Sequence, residues 1–397
     1  MSTTYEKPST LRTGQGHESG KVGFVELFFD LVYVFAITML SHSLLHHFTG
    51  IGLAETAFLL VAVWWVWVYT TWAMNWLNPA ATSVRLMLFS QMFGGLVLAL
   101  AIPHAFGAGG LAFAGAYVFM QVSRSLFTAW ALRTHEGHFR NFMRISIWLM
   151  FSGVFWFAGA FLEHEARWIV WGIALLIEIA GPYALYWTPG LGASNMRDWD
   201  IRGEHMAERC GLLMIIALGE SLLVTEATFA EQAPTLIPIA GLVTAFVGTV
   251  AMWWVYFNIG AERAAHRLAQ AEDPGQLGRL AYTYLHIPII AGILLTAVSD
   301  EILLLHPMGH HGATAPLEGL ALLGGPALFL AGNLFFKKAV FGKFARSHIA
   351  GLIMLAAAAF AMPVAGPLAL GIVGTLVMVI VGAWEHMAVN SRKSVAG

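Results

Sequence analysis

VELFFDLVYVFAI, residues Val25 to Ile37, sets two carboxylates, Glu26 and Asp30, into a run of Phe, Leu, Val, Ile and Ala. The acids are i and i+4, so they share one face of a helix. A run this apolar reads as a membrane span, where a central acid costs roughly 2.5–3.5 kcal/mol and a terminal one less. With a helix starting near Phe24, Glu26 falls at the membrane interface. Asp30 lies about 9 Å from the start, at 1.5 Å per residue. The face carrying both is expected to look into a bundle, toward a cation or water.

Composition supports that reading. The chain has 397 residues, 58% hydrophobic and 11% charged, whereas soluble domains carry about a quarter charged residues. A mean hydropathy of +0.69, with 41 Gly and 15 Trp, points to a polytopic membrane protein. The net charge of −2 gives no argument for a nucleic-acid partner. One cysteine, Cys210, excludes a disulfide framework within the chain and a CxxC metal site. The polar N-terminus has no apolar h-region, so no cleaved signal peptide is expected. Residues 1–22 read as a disordered cytoplasmic tail.

Twelve runs have the length and apolar content of a membrane helix, about 20 residues. They cover about 24–45, 55–76, 84–103, 110–132, 142–162, 168–188, 208–228, 236–259, 280–304, 317–336, 345–363 and 366–388. With the N-terminus in the cytoplasm, 19 of the 21 Lys and Arg fall on inner segments or helix ends. Only Arg167 lies outside, and Arg124 lies within the fourth helix. That bias supports twelve spans with both termini cytoplasmic. A weak repeat accompanies it. Trp64-Trp65-Val66 matches Trp253-Trp254-Val255, Arg85-Leu86 matches Arg279-Leu280, and Phe142-Met143-Arg144 matches Phe344-Ala345-Arg346. The expected fold is an all-α membrane bundle of two six-helix halves, 23–188 and 208–389. A cytoplasmic linker, 189–207, joins them, and 390–397 forms a short cytoplasmic tail. Halves with an even number of helices share one orientation, which implies a pseudo-twofold along the membrane normal.

Several polar residues could carry chemistry. Arg124 is the partner expected for Asp30 by depth, with Arg85 second. The reading as a structural staple stands beside that as a proton or cation site. Glu204, His205, Glu208 and Arg209 crowd the start of the seventh span, as a solvated helix start would. Glu220, about 12 residues in and flanked by Gly219 and Ser221, is an intramembrane acid and so a functional candidate. Glu178 is a similar case with less local support. Trp65, Tyr69, Trp72 and Trp76, with Asn75 near their end, form a stripe, read as an interfacial belt or a cation–π surface. His42, His46, His306 and His310 share an HxxxHH spacing that allows weak metal candidates. No nearby acid in the sequence completes either set. No P-loop, GxSxG, HExxH or dinucleotide fingerprint is found, and no cofactor is expected.

VELFFDLVYVFAI, then WWVWVYTTWAMNW and VRLMLF, then ERCGLLMIIALGES and WWVYF, together resemble the bacterial low temperature requirement A (LtrA) family. The motifs span residues 24–260 or so. The resemblance implies an integral inner-membrane protein of a family named for a growth defect in the cold, and brings no molecular activity with it. It places the family's recurring polar residues on Glu26, Asp30, Trp72, Asn75, Arg85, Glu208, Arg209, Gly219, Glu220 and Ser221. Asn78 and Asn258 stand where the family pattern expects Asp, which weakens cation binding at those two positions.

The function expected is a proton-linked transporter or channel for a cation or small solute. Asp30 and Glu220 would titrate, Arg124 would be the charge partner, and Glu26, Arg85, Glu208 and Arg209 would form an inner gate. The rival readings are a lipid-modifying membrane enzyme and a structural or sensory protein needed in the cold. The bilayer and an unidentified ion or solute are the expected partners, and a homo-oligomer is left open.

Overall fold

The computed structural model of the chain describes residues 9–12, 22–194, 203–258, 264, 267–268, 270, 273–309 and 312–396. They are helical throughout, apart from turns and two isolated bridges. The long helices are α1 (Phe24–His46), α2 (Gly50–Ala73), α3 (Thr82–Ala101), α4 (Gly110–Ala131), α5 (Glu136–Ala160) and α6 (His164–Ala180). After them come α7 (Gly203–Ala230), α8 (Leu236–Phe257), α9 (His286–Leu305), α10 (Pro316–Phe341), α11 (Arg346–Ala358) and α12 (Pro367–Ala396). Each overlaps one of the twelve apolar runs. A short helix, Pro274–Gly278, and a π-helical segment, Arg279–Tyr284, lead into α9.

Among the described residues, nine helices are long and apolar enough to cross a membrane. The chain is therefore a membrane protein. Three of the twelve are less apolar or shorter. In α4, Gln121, Ser123, Arg124 and Ser125 lower the hydropathy; α6 has 17 residues and α11 has 13. The run to residue 188 overshoots α6, because Gly181-Pro182 ends the helix, proline lacking the N–H that would continue it. Beyond it the backbone turns sharply, with Leu185 and Tyr186 at φ of 50° and 48°.

The helices show the reverse of a soluble pattern. On α1, Phe28, Leu31 and Phe35 are exposed, while Glu26 and Asp30 are wholly buried. In water that arrangement would be unstable; against lipid the outer face is already in an apolar solvent, and only the inner face can support charge.

The chain forms two compact units. One comprises Met1–Met39 and Val61–Arg209, the other Leu40–Leu60 and Cys210–Gly397. In the first unit, α3 packs on α4, α4 on α5 and α5 on α6. In the second, α8 packs on α12, and α10, α11 and α12 pack on one another. Its closest contact joins α9 and α10, whose backbones touch. A Cβ on Gly292 would lie 2.5 Å from the Phe329 nitrogen and 2.8 Å from the Gly325 oxygen. One on Gly332 would lie 2.9 Å from the Ile289 nitrogen. Small residues permit such approach between membrane helices.

Candidate functional site

The two acids of α1 are held by an interlocking pair of i, i+4 positions on α7. His205 and Arg209 face Glu26 and Asp30, all four wholly buried. Glu26 is the third residue of α1, and its Oε2 turns back to accept the Gly23 N–H at 2.8 Å, which satisfies one free donor of the helix start. The same oxygen accepts from Arg12 Nη2 at 3.0 Å. Glu26 Oε1 lies 2.8 Å from His205 Nε2 and accepts from Arg209 Nη1 at 3.1 Å. Arg209 Nη2 bonds Asp30 Oδ1 at 2.5 Å. One guanidinium thus spans both carboxylates, as its planar fork allows. The Phe29 and Trp67 rings lie 5.8 and 5.7 Å from its central carbon.

Asp30 is bonded asymmetrically. Its Oδ1 accepts a second hydrogen bond, from Trp67 Nε1 at 2.8 Å. Its Oδ2 is buried without a hydrogen-bond partner among the described residues, and so is the Tyr33 hydroxyl one helical turn on. Indole and guanidinium N–H groups are donors only. A proton on Asp30 therefore belongs on Oδ2.

Arg12 belongs to residues 1–22, expected to be a disordered tail, yet the segment 9–12 is bonded to the end of α2 and the turn after it. Its backbone N–H bonds the Trp76 carbonyl at 2.9 Å, and its Nε bonds the carbonyls of Met74 and Leu77, each at 3.0 Å. With His205 neutral, two cations face two anions, so the cluster is balanced.

The partner of Asp30 is therefore Arg209, not Arg124. Depth along the helices puts Arg124 at a suitable level, but its side chain turns elsewhere. Arg124 is buried and donates to the Val66 carbonyl, to Thr70 Oγ1 and, at 2.5 Å, to Gln121 Oε1. Gln121 in turn donates to Glu178 Oε2 at 2.7 Å, so a side-chain amide links guanidinium to carboxylate. Glu178 also accepts from Tyr117 at 2.7 Å, Ser152 at 2.6 Å and Trp156 at 2.9 Å. Four donors satisfy it fully, which suits a structural acid.

The remaining candidates are dispersed. Arg85 bonds the Pro79 carbonyl at an exposed position. Glu208 is exposed and accepts from the Val22 N–H at 3.3 Å. Glu220, in the second unit, is half-buried. Of the aromatic stripe, Trp65 and Trp72 are buried, and Tyr69 and Trp76 half-buried. The Tyr69 hydroxyl bonds that of Tyr186, and the Arg124 guanidinium stands 5.5 Å from the Tyr69 ring centre. Asn75 is buried and donates to the Thr71 and Trp72 carbonyls, each at 3.2 Å. The stripe thus lines the interior of its unit. His42 is half-buried, while His46 and His306 are exposed. His310 lies outside the described residues. No three His, Cys, Asp or Glu among the described residues are placed to hold a metal. An acid does lie near one histidine set: Glu301, bonded by Thr228 Oγ1 at 3.2 Å, is within electrostatic reach of His42 and His46.

The second unit holds a buried ionic triad that the sequence reading missed. Lys337 Nζ on α10 donates to both oxygens of Glu385 on α12, at 2.9 and 2.8 Å. His348 on α11 lies 3.3 Å from Nζ through Nε2 and 3.4 Å from Glu385 Oε1 through Nδ1. Ammonium only donates, so the neutral imidazole accepts at Nε2 and carries its proton on Nδ1, toward Glu385. Glu385 is the only acid after Glu318, a signal that was legible.

A family model described as Bacterial low temperature requirement A protein (LtrA) matches residues 21–383. An uncharacterized protein of Rhizobium meliloti (strain 1021) is 41% identical over 382 residues, covering 95% of this chain and 92% of that protein. No solved structure matches.

Proposed function

The chain belongs to the bacterial low temperature requirement A family, and we propose that it passes protons or a small cation across the inner membrane, with Asp30 as the exchanging acid. The observation that carries this reading is the bonding of Asp30: one oxygen clamped by Trp67 and Arg209, the other buried and unpartnered. Arg209 has two carboxylates to serve. Protonating Asp30 at Oδ2 weakens its hold on the guanidinium and leaves Arg209 with Glu26, so the arrival of one proton redistributes a buried ion-pair network. Glu26, His205, Arg209 and Arg12 then act as the gate through which that change is felt. Glu220 is the second acid proposed to carry the proton or cation. All twelve helices cross, with both termini cytoplasmic, in keeping with the bias of Lys and Arg.

The test is proton and monovalent-cation flux into liposomes holding the full chain, compared with folded Asp30→Asn and Glu220→Gln variants. Native flux above empty liposomes, abolished in Asp30→Asn, is the expected result. Absence of any flux from a folded native chain would overturn the reading. It would leave the cluster as a staple fixing α1 against α7.

A further inference from the structure

Two adjacent acids near the C-terminal end of α9, Asp300 and Glu301, are 4% and 5% exposed. The span that carries them is the most enclosed of the nine. Glu301 turns toward α7, where Thr228 Oγ1 donates to it at 3.2 Å, and it lies within electrostatic reach of His42 and His46. Asp300 turns elsewhere, because successive residues on a helix diverge by about 100°. Its Oδ2 is buried without a hydrogen-bond partner among the described residues, and so is Oγ1 of Thr296, a residue 8% exposed. Thr296 and Asp300 are i and i+4, so they share a face, and helical side chains lean toward the N-terminus. The Asp300 carboxyl therefore leans over Thr296. Ser299 serves neither oxygen, since its hydroxyl donates to the Thr296 carbonyl at 2.8 Å.

No helix packed on α9 brings a cation to Asp300. Gly332 of α10 stands beside Ile289 and Gly325 beside Thr296, and the same antiparallel register sets Ala321 beside Asp300. The nearest ionisable residue on α10 is Glu318, an acid that accepts the Ala315 N–H at 3.1 Å. α8 has no ionisable side chain before Tyr256, and α12 none before Glu385, which Lys337 holds. Beyond Cys210, α7 adds only acids, Glu220 and Glu226. On α9 itself, His286 stands at the opposite end, beside the π-helical segment, and His306 is exposed just past the near end. No Lys or Arg occurs on Leu40–Leu60, Cys210–Phe257 or Leu280–Phe336. The charge that reaches Asp300 is Glu301, of its own sign. A buried carboxylate without a counter-charge is neutralised rather than left bare. The packing decides by what. A Cβ on Gly325 would lie 2.6 Å from Thr296 Oγ1 and 2.8 Å from the Thr296 nitrogen, so the α9–α10 seam leaves no space for a hydrated ion. No three His, Cys, Asp or Glu among the described residues gather to hold a metal. A proton needs neither space nor a shell of ligands.

We propose that Asp300 is a proton-binding site of the second unit, carrying a proton on Oδ2 and presenting the resulting hydroxyl to Thr296 Oγ1. One proton removes the buried charge and supplies a donor to two oxygens that otherwise have no partner. The site is distinct from the cluster of Asp30 and Arg209, and it stands whether or not Asp30 exchanges a proton.

The test is infrared spectroscopy of the full chain in lipid nanodiscs at neutral pH, read in the carboxylic acid C=O region. Aspartate isotopically labelled at the carboxyl carbon separates aspartic from glutamic acids. The expected result is a label-sensitive acid band in the native chain that persists in Asp30→Asn, is lost in Asp300→Asn and is shifted in Thr296→Val. The last variant removes the hydroxyl while keeping the shape, and it decides the matter alone where Asp300→Asn does not fold. Three outcomes overturn the proposal: no label-sensitive acid band in the native chain, a band that Asp300→Asn leaves in place or Thr296→Val leaves unmoved, or a band abolished by adding sodium chloride, which would make the occupant a metal cation. The spectrum reads a proton held, not a flux, so its failure is separate from a failure of transport.

Discussion

Replacing Arg209 with Met removes the one cation that Glu26 and Asp30 share. Glu26 keeps Arg12 at 3.0 Å and the Gly23 N–H at 2.8 Å, whereas Asp30 keeps only the Trp67 indole. A buried carboxylate is then left without its counter-charge, and breaking a buried pair from one side costs about 3–5 kcal/mol. Asp30→Asn alone is milder, because an amide oxygen still accepts from Trp67 and Arg209. Its cost should be about 1–3 kcal/mol. In the double variant the orphaned charge is gone, so the two changes should couple favourably, by about 0.5–3 kcal/mol. The assay is reversible unfolding in mixed micelles with a denaturing detergent, followed by tryptophan fluorescence, for the native chain, both single variants and the double. The parallel cycle with Arg124→Met separates geometry from proximity in depth. Arg124 binds carbonyls, a hydroxyl and an amide but no carboxylate, so Arg124 and Asp30 should be additive within about 0.5 kcal/mol. Additivity in the Arg209 cycle, or coupling in the Arg124 cycle, would refute the assignment.

Three further outcomes are expected. Glu178→Leu removes the acceptor that Tyr117, Gln121, Ser152 and Trp156 share, although Ser152 keeps the Ala174 carbonyl at 3.1 Å and Gln121 the Tyr117 hydroxyl at 3.3 Å, and thermal unfolding in detergent should show a loss of about 3 kcal/mol, a buried donor that loses its acceptor costing about 1–3 kcal/mol. Lys337→Met leaves Glu385 uncompensated and should cost about 3–5 kcal/mol, while adding Glu385→Leu should restore most of that loss in the same unfolding assay. Gly292→Ala drives a methyl into the backbone of α10 and should abolish folded yield on size exclusion, whereas Gly172→Ala, where a Cβ meets nothing within 4 Å, should be neutral or stabilising by up to about 1 kcal/mol.

The helices were largely legible, because apolar runs of about 20 residues are dictated by bilayer thickness alone. That Asp30 faces the interior was legible for the same reason: no lipid-facing site would accept it. Its partner was not. Arg209 stands 179 residues away, in a cluster that reads as a solvated helix start, and helix depth does not specify the direction a side chain turns. The aromatic stripe shows the same limit. Trp65, Tyr69, Trp72 and Trp76 follow one face, yet the indole that bonds Asp30 belongs to Trp67, on another. Arg12 had no signal, since a short polar segment carries no periodicity and its backbone bonds to Trp76 and Asn78 form only in the folded chain.

The contact of α9 with α10 limits how the second unit can rearrange. With the Gly292 backbone against Phe329, and Gly332 against Ile289, the two helices mesh like a rack and a fitted key. Axial slippage by one residue, about 1.5 Å, would drive a side chain into a peptide plane. Rolling is blocked equally, because only the glycine edge admits the neighbour. Any cycle of opening and closing must carry α9 and α10 together as one stiff beam, with the compliance placed in the helices that pack through side chains.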